Sequence, residues 1–117
     1  MRRERRFSFR YMNRIRVYNH LSGDFMGVVG DLSASGMRLF TRQPLAVGAA
    51  YEMRLDYPVP YSETQKIYVT MQCRWIRKDP DGDGFQVGCV LDQPSEEFSE
   101  LVSLTMARHR RNSLLAR

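Results

Sequence analysis

The strongest constraint on the fold is a run of alternating apolar and polar residues that begins at Ile67 and ends near Lys78. Successive side chains of a β-strand point to opposite faces, so this run predicts a long strand with one buried face. A turn sequence at 79–84 follows, and a second alternation occupies 85–91. The two runs therefore predict an antiparallel hairpin.

Four further strands are predicted ahead of this hairpin. They are expected at 14–18, 25–32, 37–41 and 51–57, with turn or loop sequences at 20–24, 33–36 and 58–64. The loop at 58–64 contains two prolines, which cannot donate to a β-ladder. Residues 14–91 are therefore expected to be built of short antiparallel strands.

After Pro94 the apolar spacing changes to that of an amphipathic helix that begins near Ser95. The apolar face of this helix would be formed by Phe98, Leu101, Val102, Thr105 and Met106. The predicted fold is all-β: a closed six-stranded antiparallel β-barrel over 11–93 with a C-terminal α-helix over 95–111. That helix would pack outside the barrel or plug one end.

The length of 117 residues is typical of one domain, so we expect a single domain over 1–117. No apolar run approaches the roughly 18 residues that a membrane span requires. The arginine-rich start lacks the apolar segment of a secretion signal. We therefore expect a cytoplasmic protein that does not insert into a membrane.

The sequence shows no catalytic or metal-binding constellation. Cys73 and Cys89 lack C-x-x-C spacing, which favours two reduced thiols in the core over a disulfide or a metal site. Residues 79–84 mimic the start of a calcium loop, but position twelve falls on Val90, where a bidentate glutamate is needed. Neither a nucleophile elbow nor a phosphate-cradling glycine loop is present. We expect neither enzymatic activity nor a bound metal or cofactor.

Charge is distributed unevenly along the chain. Residues 1–16 carry seven arginines against Glu4, residues 17–107 carry seven basic and twelve acidic side chains, and residues 108–117 carry four arginines. An acidic body thus has two basic ends. Arginine forks onto phosphates and stacks on flat bases, so the ends favour an anionic partner over the alternative of a merely solvated tail.

Two short motifs flank the first two predicted strands. Arg6 and Arg10 lie four residues apart in the first basic end, and residues 31–36 read Asp-Leu-Ser-Ala-Ser-Gly. Together they resemble the two signatures of the PilZ family, RxxxR and (D/N)xSxxG. The resemblance implies a six-stranded barrel with a closing helix that binds cyclic di-GMP through Arg6, Arg10, Asp31, Ser33 and Gly36.

The chemistry of these residues suits that ligand, which presents two phosphodiesters and two guanines. Arginine donates to a phosphate or to the O6 and N7 edge of guanine, and it also stacks on the base. Asp31 can accept from the guanine N–H groups, and the Ser33 hydroxyl can bond a base or a phosphate. Gly36 would supply a backbone conformation or a close approach. The alternative is that Asp31 and Ser33 only satisfy backbone groups in a turn.

Further aromatic and basic residues extend this prediction. Arg5 adds a third guanidinium that could stack on an extra base, so we predict that the site takes a stacked pair of ligand molecules. Phe7, Phe9 and Trp75 could contact guanine, although packing is the commoner role of such side chains.

The predicted mechanism is a ligand-triggered switch. Residues 1–10 lack a strand or helix pattern and repel one another, so they are expected to be mobile until phosphates draw them onto the barrel. A downstream protein, which the sequence does not identify, would then recognise the ordered surface. Two alternatives stay open: a PilZ-like protein adaptor that binds no nucleotide, and a basic barrel that binds RNA or single-stranded DNA. The acidic body argues against the nucleic-acid partner.

Overall fold

The computed structural model describes residues 15–59 and 61–115, with side chains up to residue 107. The elements are β1 (Arg16–Asn19), β2 (Phe25–Ser33), β3 (Gly36–Thr41), β4 (Ala50–Tyr57), β5 (Gln65–Lys78), β6 (Phe85–Leu91) and α1 (Glu96–Leu115). Each predicted strand and the predicted helix are present, with ends that differ by a few residues. The all-β prediction is confirmed.

The six strands close into an antiparallel barrel with the order β1-β2-β3-β6-β5-β4. Closure is made by β1 and β4, which pair Val17 with Leu55. The turn between β1 and β2 is held by Asn19, whose Oδ1 accepts the backbone N–H groups of Leu21 and Ser22 at 2.9 and 3.1 Å. A closed barrel leaves no unpaired sheet edge, so the outer walls are formed by side chains.

One apolar cluster fills the barrel and extends to the helix. The apolar face of α1 contributes Phe98, Leu101 and Val102 to the same buried cluster as the inward side chains of the strands. Ser95 caps the helix, since its Oγ accepts the backbone N–H of Phe98 at 3.1 Å. Four of the five residues predicted to form this face are buried and Met106 is half-buried, so the predicted face is confirmed.

The two cysteines lie opposite each other on β5 and β6 and are buried free thiols. Burial, with a smaller contribution from the neighbouring Cys73, raises the pKa of Cys89 to about 12. The pKa of Cys73 is also raised by burial. Both side chains therefore stay protonated near neutral pH and act as small apolar groups in the core.

Neither a membrane span nor a metal cluster is found in the described part of the chain. Across residues 15–59 and 61–115, no helix combines the length and the apolar character needed to cross a bilayer. Nor do three or more histidine, cysteine, aspartate or glutamate side chains come together there as metal ligands. Residues 79–84 close the β5–β6 hairpin, in which the backbone N–H of Asp79 donates to the Gly84 carbonyl at 2.9 Å.

Candidate ligand-binding site

The second motif forms the tip of the β2–β3 hairpin. Ser33 pairs with Gly36 across a two-residue turn, and Asp31 pairs with Arg38. The register shifts between Val29 and Asp31, which marks a bulge in β2. An extra residue in a strand re-aims the side chains that follow it. Leu32 can therefore lie in the core while its neighbours Asp31 and Ser33 belong to the other face.

Asp31 is nearly buried, with 7% of its surface exposed. Its Oδ2 accepts a hydrogen bond from Arg38 Nε at 2.8 Å, in a partly buried ion pair. The guanidinium of Arg38 also lies over the Phe40 ring, 4.9 Å from its centroid. Charge-assisted bonds of this kind hold the carboxylate in one orientation. Asp31 is thus a fixed anionic acceptor on the wall of the barrel.

Ser33 contributes to the turn itself. Its side chain is buried, and Oγ donates to the Gly36 carbonyl at 3.4 Å. The turn is further held to β6, because the Ser35 carbonyl accepts the backbone N–H of Leu91 at 2.8 Å. The turn role anticipated for Ser33 is therefore present. The hydroxyl still has acceptor lone pairs, but Ser33 has no exposed surface in the structure, so its contact with a ligand stays a prediction.

A close approach between the backbones of β3 and β6 requires a glycine at position 36. A Cβ built at Gly36 would lie 2.1 Å from the carbonyl oxygen of Cys89 and 3.0 Å from Cα of Val90. Gly36 is not among the glycines with positive φ, which are Gly23 and Gly48. Of the two roles predicted for this glycine, the structure therefore shows the close approach, and it does so against β6 backbone.

The wall beside Asp31 continues across four strands as one row. Cross-strand pairing places Asp31 on β2 beside Arg38 on β3, then Gly88 on β6 and Trp75 on β5. The indole covers Gly88, since a Cβ at that glycine would lie 2.1 Å from Trp75 Nε1. Trp75 remains 39% exposed. The row therefore offers a carboxylate, a guanidinium and an aromatic edge to a ligand.

The position of Trp75 corrects one detail of the sequence interpretation. The alternation that includes Cys73 places Trp75 on the same inward face, whereas the structure places the indole on the outer wall. The cause is a second register shift, between Cys73 and Trp75 on β5. The extra residue reverses the side-chain alternation from this point onward.

A polar cluster on the same wall was not predicted from the sequence. Gln86 on β6 accepts hydrogen bonds from both Arg38 and Arg77, and its amide donates to Asp79. None of these residues belongs to a recognisable motif. On the predicted strands, alternation marks Arg38 and Gln86 only as outward-facing. It places Arg77 on the predicted inward face with Trp75, and Asp79 lies in the predicted turn. The pairing of β3 with β6 and the bulge in β5 had to be known before these residues could be grouped.

The remaining predicted site residues lie outside the described part of the chain. These are Arg5, Arg6 and Arg10, together with Phe7 and Phe9 and the predicted mobility of residues 1–10. The structure thus brings together Asp31, Ser33 and Gly36 on one hairpin, and leaves the contribution of the arginines as a prediction.

A separate cleft of about 460 Å³ lies between β4, β5 and the start of α1. Its lining includes Glu52, Glu96 and Glu97, together with His20 and Tyr68, whose rings meet edge to face at 4.8 Å. Three carboxylates would repel a ligand that carries two phosphodiesters. The wall at Asp31, with Arg38 and Arg77 beside it, suits such a ligand better.

The fold and this wall define a small β-barrel domain with a candidate ligand surface at the β2–β3 hairpin. The chain matches the PilZ domain family over residues 2–107 and belongs to that family. The resemblance found in the two sequence motifs is thereby confirmed.

Solved structures share the fold at low sequence identity. MrkH of K. pneumonia, in a complex with c-di-GMP, aligns with a TM-score of 0.74 at 17% identity over 100% of this chain and 56% of that chain. The Bacillus subtilis inhibitor of motility MotI/DgrA aligns with a TM-score of 0.70 at 13% identity over 96% of this chain and 52% of that chain. The chain therefore spans about half the length of these two proteins.

The PilZ domain of YcgR from Escherichia coli, with c-di-GMP, aligns with a TM-score of 0.68 at 14% identity. That alignment covers 97% of this chain and 96% of the YcgR domain. No curated protein matches the sequence. At these identities the structural matches establish the fold, and the function has to be argued from the site.

Proposed function

We propose that this chain is a non-enzymatic receptor for cyclic di-GMP. The observation that carries the proposal is the β2–β3 hairpin, where a fixed Asp31 carboxylate, the Ser33 hydroxyl and the Gly36 turn occupy the positions of the second PilZ motif. Membership of the PilZ family and two similar structures that contain c-di-GMP support it. The cytoplasmic location expected from the sequence stays a prediction.

In this proposal, Asp31 accepts the N1–H and N2–H groups of a guanine while it keeps its bond to Arg38. A carboxylate offers about four lone-pair sites, so the two interactions are compatible. Arg6 and Arg10 bind the phosphodiesters or the O6 and N7 guanine edge, and Arg5 stacks on a second base. The ligand then binds as a stacked pair, for which calorimetry should give about two molecules per protein.

Signalling follows from the charge of the first residues. Binding of the phosphodiesters neutralises the arginines of residues 1–10 and holds that segment at the hairpin. A downstream protein recognises the surface so formed. Hydrogen exchange of residues 1–10 should slow at saturating ligand, and unchanged exchange would contradict this mechanism while leaving the binding proposal intact.

Isothermal titration calorimetry with cyclic di-GMP tests the proposed function directly. We expect an affinity of about 1 μM or tighter for the intact chain and no comparable heat with GMP. Asp31→Asn removes the charge of the acceptor at nearly constant volume. One charge-assisted bond contributes about 2 kcal/mol, so binding should weaken about thirtyfold.

Asp56→Asn is the matched control for that variant. Asp56 accepts from Arg54 Nε at 2.8 Å within β4, with the same donor atom and distance as in the cross-strand Asp31–Arg38 pair, and it lies outside the β2–β3 hairpin. Its substitution should leave the affinity unchanged. If the intact chain gave no heat, the receptor proposal would fail and the adaptor alternative would take its place. Equal weakening by both variants would remove Asp31 from the site.

Trp75 should report binding by its fluorescence. It is the only tryptophan of the chain, it is partly exposed on the row that begins at Asp31, and the Arg77 guanidinium lies 5.7 Å from its ring. A guanine or phosphodiester on this row changes the polarity around the indole. Emission should therefore change saturably with ligand, with a midpoint that agrees with calorimetry. Constant emission at saturation would place the ligand away from Trp75.

A further inference from the structure

Gln86 holds two arginines of different strands together. Its side chain is nearly buried, with 5% of its surface exposed. Oε1 accepts from Arg38 Nη1 at 3.1 Å and from Arg77 Nε and Nη2 at 3.1 and 2.7 Å. Its amide is fixed in turn, because Nε2 donates to Asp79 Oδ1 at 3.2 Å. One neutral oxygen is thus shared by two guanidinium groups.

Without a bound ligand, this arrangement lowers the stability of the barrel. Two like charges that share one acceptor repel each other, and a neutral carbonyl compensates less than a carboxylate does. Arg38 has Asp31 as an anionic partner, whereas no ion pair joins Arg77 to a carboxylate within the described residues. If Arg77 only had to keep the surface charged, its side chain could point into solvent without sharing an acceptor with Arg38. The pairing therefore favours an anion that binds both groups.

We propose that Gln86 is a positioning residue that holds Arg77 beside Arg38 as a two-guanidinium subsite for one phosphodiester of cyclic di-GMP. The inference rests on the proposed function and adds residues of β3, β5 and β6 to the site. Each guanidinium has five N–H groups and uses two of them in the bonds to Asp31 and Gln86. The remaining donors suit the two free oxygens of a phosphodiester.

The subsite is adjacent to the guanine position assigned to Asp31. Arg38 bonds to Asp31 through Nε and to Gln86 through Nη1, so a single side chain joins the carboxylate to the arginine pair. A dinucleotide that places a guanine on Asp31 can thus reach Arg77 with the phosphodiester that follows.

Calorimetry on three variants tests this inference. Arg77→Ala removes an exposed side chain, so the barrel should stay folded while affinity falls about tenfold. Its binding should also depend less on salt, because one charge contact to the ligand is lost. Gln86→Met keeps the length of the side chain but removes the shared acceptor, and about a fivefold loss is expected. Gln72→Met is the control, since among the described residues the Gln72 side chain bonds only the Gly48 carbonyl, at 3.2 Å.

The double variant Gln86→Met, Arg77→Ala separates positioning from mere stability. If Gln86 acts through Arg77, the double variant should bind about as well as Arg77→Ala alone. Fully additive losses would overturn the positioning role. Unchanged affinity and salt dependence in Arg77→Ala, with a binding parent, would overturn the subsite and leave the receptor proposal standing. No heat from the parent would overturn both.

Discussion

Replacement of both Arg6 and Arg10 by alanine is expected to abolish measurable binding of cyclic di-GMP. Each guanidinium would lose a charge-assisted contact of about 1.5–3 kcal/mol, so the pair contributes roughly 3–6 kcal/mol. That corresponds to a loss of affinity of about a hundredfold to ten-thousandfold. Calorimetry under the conditions used for the intact chain should show no heat above dilution.

A second basic pair in the chain supplies the control for this variant. Replacement of Arg110 and Arg111 by alanine lowers the net charge by the same amount at the other basic end. If Arg6 and Arg10 form a specific site, the two double variants should differ in affinity although their net charge is the same. The Arg110 and Arg111 variant should therefore bind cyclic di-GMP with the affinity of the intact chain. Equal weakening would indicate general charge attraction and would favour the nucleic-acid alternative, whose affinity rises with oligonucleotide length.

The largest effect on stability is expected for Gly36→Ala. The new Cβ would lie 2.1 Å from the carbonyl oxygen of Cys89 and 3.0 Å from Cα of Val90, and both are backbone atoms of β6. Neither atom can move without breaking the pairing of β3 with β6. We expect a loss of about 3 kcal/mol in the free energy of unfolding. Thermal unfolding followed by circular dichroism should show a Tm lower by roughly 10–15 °C.

Gly82→Ala is the matched control for Gly36→Ala. Gly82 lies in the β5–β6 turn, where the nearest heavy atom to an added Cβ is Asp79 Oδ2 at 3.4 Å. The same chemical change there should alter the free energy of unfolding by less than about 0.5 kcal/mol. Similar Tm values for the two variants would contradict the close approach assigned to Gly36.

The expected outcomes for Gly36 and Asp31 divide one motif into two roles. Gly36 and Ser33 hold the hairpin tip, through the approach to β6 and the bond across the turn. Asp31 is the member whose carboxylate is fixed on the outer wall. Asp31→Asn should therefore change binding more than stability, and Gly36→Ala should change stability first. The spacing of the motif therefore serves two purposes, the formation of the hairpin tip and the placement of the carboxylate for a ligand.

Much of the fold was determined by local features of the sequence. Alternation of apolar and polar residues predicts each strand, because successive side chains point to opposite faces and one face of the strand is buried in the core. The change of spacing after Pro94 predicts the helix and its apolar face, which the structure confirms. The RxxxR motif and the (D/N)xSxxG motif together identified the family. The second motif, between two predicted strands, placed Asp31, Ser33 and Gly36 at one hairpin. Each of these features is a pattern within one short stretch of the chain.

The tertiary structure alone decided how the walls of the barrel are assembled. Arg38 and Gln86 are far apart in sequence and meet because β3 pairs with β6, which alternation within a strand does not specify. Trp75 lies outside because a bulge in β5 reverses the alternation. Register and bulges depend on the fit between distant strands, and a shift of one residue exchanges the two faces. The sequence therefore determined which segments form strands, and only the closed barrel decided which side chains share the wall beside Asp31.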